Sequence, residues 1–387
     1  MGWAMIRDAL LALALAPLVY YVCSIFAALR FFRTRPSAPP GFFPPVSILK
    51  PVRGLDRETY QNFASFCKQD YPEFEVLFCV SDRSDQAIPV IERIIEDFPE
   101  RRIRLLIGSE PLGASDKVNK LCRMVREARH EIIVISDSDI RVASGFLHAV
   151  VAPFRDSSVG GATCLYRGLT GGSLASNLEA LGNSTDFAPG VLTAWLLGKC
   201  RLDFMLGAVM ATTKGHLSEI GGFEGIVNHL SDDYELGNRI AAGGYRVSLI
   251  QFPVDVVYPR QRVADAFRQQ LRWNLSIRCS RPWGHFGLLF TQGLPWALLA
   301  ASVAQSRVAA IGYLASYAVL RVAVAWVVGV RGMQDDLAAR KMWMLPLRDA
   351  FAFLAWVSSF FPQRIYWRGQ EFYVRDKRLV PAPSRRS

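Results

Sequence analysis

Residues 9–29, ALLALALAPLVYYVCSIFAAL, carry no charged side chain across 21 positions. At about 1.5 Å per residue, a helix of that length just crosses the ~30 Å hydrocarbon core of a bilayer. Hydrocarbon offers the backbone no hydrogen-bond partners, so such a segment is restricted to helix, and Pro17 in mid-span is tolerable there. A secretory signal would be shorter and followed by a small-residue cleavage site. Instead Arg30, Phe31, Phe32, Arg33 and Arg35 follow. The segment therefore reads as a retained anchor, with the basic flank placing residues from 30 onward in the cytoplasm.

The other apolar stretches lie far along the chain. Residues 282–306 lack Lys, Arg, Asp and Glu, and 308–330 are apolar except for Arg321, so both read as spans. Arg321 is expected to snorkel or to pair between helices. The linker 331–348 holds Arg331, Arg340, Lys341 and Arg348 against Asp335 and Asp336, which points to the cytoplasm. The run 350–363 has only 14 residues, short for a span, and is read as re-entrant or interfacial in preference to a third C-terminal span. The tail after it has seven basic and two acidic residues, again cytoplasmic. With 51% hydrophobic residues and a net charge of +11, the chain suits an anionic membrane surface. It has neither the basic stripe nor the reader motif of a nucleic-acid binder. The seven cysteines are scattered without CxxC or zinc spacing, as expected of reduced core thiols in a reducing compartment.

Between these stretches the pattern changes. PSAPPGFFPP (36–45) is a proline-rich linker. Strands are expected at VSILKPV (46–52), FEVLFCV (74–80), IRLLIG (103–108) and EIIVIS (131–136), and helices at 57–68, 85–98 and 115–129. Continuous apolar strands alternating with amphipathic helices predict a parallel sheet covered on both faces. Ligands of such sheets bind at the strands' C-terminal ends. Two strands here end in acid, at Asp82 and at Asp137-Ser138-Asp139. No GxGxxG or Walker motif is present, so a bound phosphate would need a metal. A D-x-D turn offers oxygens to a hard cation such as Mg²⁺ or Mn²⁺. It also suits a phosphatase nucleophile, or a capped turn without chemistry. SDDYELGN (231–238) opens a helix at about 233–242, where acids favour the first turn in any case. RQQLRWNLSIR (268–278) has the aromatic and basic pattern of an interfacial helix.

Taken together, Asp82, Asp137-Ser138-Asp139, Asp233 and Gln269-Gln270-Leu271-Arg272-Trp273 resemble the D, D, D, (Q/R)xxRW signature of family 2-like glycosyltransferases. KPVRGLD (50–56), QDYPEFEVLFCVSD (69–82), KVNKL (117–121), GAVMATTKGHL (207–217) and SDDYELGNRIA (231–241) resemble more closely the ceramide glucosyltransferase family and its bacterial relatives that glycosylate hopanoid lipids. The resemblance covers about 44–285. It implies an α/β, GT-A domain, Rossmann-like with a mostly parallel sheet, on N- and C-terminal transmembrane helices. It implies that Asp82 contacts the uridine of a UDP-sugar, that Asp137 and Asp139 hold Mg²⁺ or Mn²⁺ on the diphosphate, and that Asp233 is the general base. It places Lys117 and Asn119 in the donor pocket, Gln269, Arg272 and Trp273 over the diphosphate, and Asp186 and Asp232 on the acceptor side. The animal ceramide enzymes carry a histidine after a Gly-Thr-Ser stretch; GNSTDFAPG (182–190) offers Asp186 and no histidine.

The expected order is an anchor at 1–35, the linker 36–45, the GT-A domain 46–262, an interfacial helix 263–281, transmembrane or re-entrant segments 282–363 and a basic cytosolic tail 364–387. The expected reaction is inverting transfer from a UDP-sugar, foremost UDP-glucose, to a lipid hydroxyl. Ceramide is the first acceptor, with N-acetylglucosaminyl transfer to a hopanoid polyol as the alternative, in a bacterial inner membrane. Rival readings are weaker. A haloacid dehalogenase-like phosphohydrolase would follow its second Asp with Thr or Val, where Ile140-Arg141 stand here. A processive polysaccharide synthase or a pore would need more spans. A scaffold has no reason to keep these acids together. The sequons at Asn183 and Asn274 are chance matches in a cytosolic chain.

Overall fold

A computed structural model describes residues 2–33 and 41–361, and the backbone of 365–367, 370–375 and 378–381. Parts of the proline linker and of the basic tail lie outside the described residues. The chain folds into two compact units.

One unit, Arg35–Leu169 with Gly198–Pro259 and the C-terminal segment, contains the eight-stranded sheet. Its strands are β1 (Val46–Pro51), β2 (Phe74–Val80), β3 (Arg102–Ile107), β4 (Ile132–Ser136), β5 (Ile140–Arg141), β6 (Val159–Thr170), β7 (Val209–Thr213) and β8 (Arg246–Tyr258). They run in the order β3-β2-β1-β4-β7-β6-β8-β5. The first four are parallel, joined by the helices Thr59–Cys67, Ile88–Asp97 and Asp116–Glu127, all within the expected ranges. Every residue of β1, β2 and β4 is buried, as strands covered on both faces must be. The sheet as a whole is mixed, which corrects the mostly parallel expectation. β7 pairs antiparallel with β4 and β6, and β5 antiparallel with β8. β8 extends to Tyr258 and mixes buried with half-buried positions, unlike the fully buried parallel strands. Three short strands, β9 (Ile365–Trp367), β10 (Gln370–Arg375) and β11 (Arg378–Pro381), form a separate antiparallel sheet.

The other unit joins 1–34, Thr170–Leu197 and Arg260–Gln363. The span 46–262, read from sequence as one domain, thus contains the excursion Thr170–Leu197. Helices Gly2–Leu13 and Ala16–Arg33 together form one apolar stretch, longer than the expected 9–29 and interrupted just before Pro17. Arg307–Gly332 is the second stretch long enough to cross a membrane. The segment expected as a span at 282–306 is bent by 55° between Pro282–Thr291 and Gly293–Val303, so it is a broken span or a re-entrant loop. Leu345–Ser358, with 14 residues, falls short of a span. Arg321 is 3% exposed and paired: Nη2 lies 2.7 Å from Asp349 Oδ1, Nη1 donates to the Thr185 carbonyl at 2.8 Å, and Asp186 takes a further contact. Pairing, not snorkelling, is how this charge is accommodated. All seven cysteines are free.

Candidate active site

β4 lies between β1 and β7 near the centre of the sheet, and Asp137 begins where its pairing with β1 ends. The turn Asp137-Ser138-Asp139 is half-buried and pinned at both ends. The Asp139 carbonyl accepts from Val257 N–H at 2.9 Å, and Ile140 enters β5 opposite Val256. Beneath it stands Lys50, fully buried, whose Nζ donates to the Asp137 carbonyl at 2.8 Å and to Ser136 Oγ at 3.3 Å, 3.7 Å from the Phe66 ring centre. Burial lowers Lys50 to about 7 against the opposing pull of Asp137, Asp139 and Asp56. Ser138 Oγ donates to Asp56 Oδ2 at 2.5 Å.

Two helix starts close over this turn. Lys117 lies in the first turn of Asp116–Glu127, which Ser115 caps by accepting from Val118 N–H. Its Nζ is 2.9 Å from Asp137 Oδ1 and 2.9 Å from Asp232 Oδ2. Burial works against that charge, yet the two carboxylates raise the pKa above its ordinary value. Asp233 is the next residue on the helix Asp232–Ala242, and its Oδ1 accepts from Tyr234 N–H at 2.8 Å. Burial first, then Asp232, push Asp233 up to about 6 against the opposing charge of Lys117. Asp139 is raised to about 7 by burial and by the negative charges of Asp137 and Asp56. Gly207 makes the gathering possible: a Cβ there would stand 3.2 Å from Asp233 Oδ2 and 3.8 Å from Asp137 Oδ2.

The remaining expected residues divide between the units. Asp82 is exposed beyond β2 and folds its own turn, accepting from Ser84 N–H at 2.8 Å. Asn119 closes the loop before its helix, with Oδ1 accepting from Gly113 N–H at 3.1 Å and Nδ2 donating to its carbonyl at 2.9 Å. Asp186 belongs to the membrane unit, in the π-helical turn Asn183–Phe187, bound by Arg321 and Arg348. Gln269, Arg272 and Trp273 lie half-buried on the helix Val263–Ser280 of that same unit. Nearby, Glu179 is buried and raised to about 7, with Arg348 and Arg272 opposing the shift, and accepts from Gln261.

Sequence reasoning assigned no role to Lys50, Asp56, Asp116, Lys120 or Gly207. Lys120 Nζ donates to Asp116 Oδ2 and to the Val52 carbonyl, both at 2.8 Å, tying the end of β1 to the helix after β3. One signal was available. A lysine inside the apolar run VSILKPV is a buried charge that needs partners. Those partners lie far along the chain, so only the need was visible.

Among the described residues, no three His, Cys, Asp or Glu side chains gather to hold a metal alone. Asp137 and Asp139 are two hard oxygen donors in a site where crowded negative charge already raises Asp139. That set fits a hard cation completed by donor phosphates and water, not an all-protein cage.

The sequence matches the model of glycosyl transferase family 21 over residues 9–380. Ceramide glucosyltransferase 3 of Caenorhabditis elegans is 28% identical over 217 residues, 54% of this chain and 45% of the relative. The ceramide glucosyltransferase of Gibberella zeae is 33% identical over 177 residues, 42% of this chain and 34% of the relative. The match thus spans less than half the length of these curated relatives. A mannosyltransferase from Pyrobaculum calidifontis, solved with GDP-Man and Mn²⁺, is 21% identical with a TM-score of 0.55, covering 92% of this chain and 98% of that one. That likeness is one of fold and agrees with the GT-A expectation.

Proposed function

The chain belongs to glycosyl transferase family 21, and from that premise we propose that it is a membrane-bound, inverting enzyme that moves glucose from UDP-glucose to a hydroxyl of ceramide. The observation that carries the chemistry is the meeting of Asp137 and Asp233 over Gly207, with Lys117 joining Asp137 to Asp232. The two relatives described above are named as ceramide glucosyltransferases. They give no support to a hopanoid acceptor, and as nematode and fungal proteins none to a bacterial inner membrane. The proposal keeps a membrane with the sheet unit on its cytosolic side, where the arginines after the first span point.

Asp233 takes the acceptor proton. Its Oδ1 holds Tyr234 N–H, so Oδ2, the oxygen over Gly207, is the basic atom. As the acceptor oxygen bonds to the anomeric carbon, the bond from that carbon to the diphosphate oxygen breaks and UDP leaves with the electron pair. One displacement from an α-linked donor yields a β-glycoside. Asp137 and Asp139 would hold a divalent cation, which when bound would supply Lewis-acid neutralisation of the diphosphate. Lys117 fixes Asp137 against Asp232, and Lys50 holds the turn from below. Asp82 serves the uridine, while Asn119 shapes the donor side through its loop. The family resemblance assigns Gln269, Arg272 and Trp273 to the diphosphate, where a guanidinium would add positive charge. The same resemblance assigns Asp186 and Asp232 to the acceptor.

The test is transfer of label from each UDP-sugar to ceramide in mixed micelles, with Mg²⁺ or Mn²⁺. Label in the organic phase from UDP-glucose, lost on chelation and β-linked by NMR, is the expected result. Preference for another UDP-sugar would change the donor, and an α-anomeric product would overturn inversion. No lipid label from any donor would refute ceramide as the acceptor. Gly207→Ala is expected to lower kcat/KM by about tenfold, because a Cβ at 3.2 Å forces Asp233 to shift and catalytic geometry is sensitive to such shifts. Unchanged kinetics would detach Gly207 from the site.

A further inference from the structure

Arg348 reads from the sequence as one more basic residue of a cytoplasmic linker. In the fold it is 4% exposed, on the helix Leu345–Ser358. Its guanidinium meets two other elements of the membrane unit. Nε lies 2.8 Å from Asp186 Oδ2, and Nη2 donates to Gln270 Oε1 at 3.2 Å. Cζ stands 5.8 Å from the Phe351 ring centre. Gly182, the last residue of the helix Leu174–Gly182, makes room: a Cβ there would collide with Nε, Cζ and Nη2. Glu179 on that helix adds negative charge, interacting with both Arg348 and Arg272.

Gln270 is the informative contact. On a helix, Gln269, Arg272 and Trp273 stand at i, i+3 and i+4 and share one face, while Gln270 is turned about 100° from Gln269. Holding Gln270 therefore sets the rotation at which that face is presented. A planar guanidinium can do this in two directions at once, which the point charge of a lysine cannot.

We infer that Arg348 is a positioning residue, seated in a notch left by Gly182, that fixes the rotation of the helix Val263–Ser280 and so aims Gln269, Arg272 and Trp273. What those three residues do rests on the proposed function; that Arg348 sets their helix does not.

The experiment uses the full chain in micelles, comparing Arg348→Met and Gly182→Ala, each alone and combined with Arg272→Met. Alanine ordinarily favours a helix over glycine, so harm from Gly182→Ala reports the collision with Arg348. Each single variant is expected to lower transfer from UDP-glucose by about tenfold or more. Each double variant is expected to be no worse than Arg272→Met alone, because the losses run through one group. Losses that multiply independently, or single variants within about twofold of the parent, would overturn the inference. Amide hydrogen exchange supplies a readout free of any assumed activity. Exchange along 263–280 should quicken by about tenfold in both single variants while exchange along 307–324 stays unchanged. Unchanged exchange at 263–280 overturns the inference by itself. If Arg348→Met does not accumulate as folded protein, Gly182→Ala decides the outcome. Absence of transfer by the parent chain would refute the proposed reaction and leave the exchange result to judge Arg348.

Discussion

Asp233→Asn is expected to lower kcat for glucosyl transfer by about 10²–10⁴-fold, the range that general-base help commonly contributes. The amide keeps the shape of the side chain and can still accept from Tyr234 N–H, but it cannot take the acceptor proton. KM for UDP-glucose should stay within about twofold, since a group used only in the transition state leaves ground-state binding alone. The parent enzyme should also show an acid limb. The base works ionised, and burial together with Asp232 raises its carboxyl to about 6. The acid limb of activity should therefore lie at or below that value. A cation at Asp137 and Asp139 moves the limb to lower pH, never higher, because positive charge favours the carboxylate. Asp233→Asn should abolish the limb along with the rate. A variant keeping a substantial share of parental kcat, or the same limb, would remove Asp233 from the role.

Arg321→Met is expected to destabilise the membrane unit by about 3–5 kcal/mol, the usual cost of deleting one partner of a buried pair. The guanidinium holds both oxygens of Asp349, the Thr185 carbonyl and Asp186, and Tyr317 Oη donates to the same Asp349 at 2.7 Å. Removing it leaves Asp349, 7% exposed, without its cation. The measurement is thermal unfolding of the purified chain in detergent. Arg321→Met combined with Asp349→Leu should recover most of the loss, because apolar replacement of both partners is often close to neutral. A single variant as stable as the parent would show that the pair contributes nothing.

Several parts of the fold were legible because their signals are local. Apolar runs with strand length located β1, β2, β3 and β4, and helical periodicity located the three helices between them. The position of Asp137-Ser138-Asp139 at a strand end followed from the apolar run EIIVIS alone. The direction of the later strands did not. Apolar runs carry no polarity, so β7 could join β4 from either side, and the mixed sheet became visible only in its register. The burial of Arg348 was hidden for a related reason. Charge counting registers each arginine of a linker only as a positive charge, and burial among Gly182, Asp186 and Gln270 depends on segments remote in sequence.

By itself the sequence determined that the chain meets a membrane, that it carries an α/β domain, and that carboxylates end two of its strands. Those are consequences of length, periodicity and residue type within single segments. Only the tertiary structure decided which charges face one another. Lys117 between Asp137 and Asp232, Lys50 beneath the D-x-D turn, Asp233 over Gly207 and Arg321 on Asp349 each join segments that no local pattern connects. Coulomb attraction and desolvation act through space, so the partner of a buried charge is known only once the chain has closed upon it.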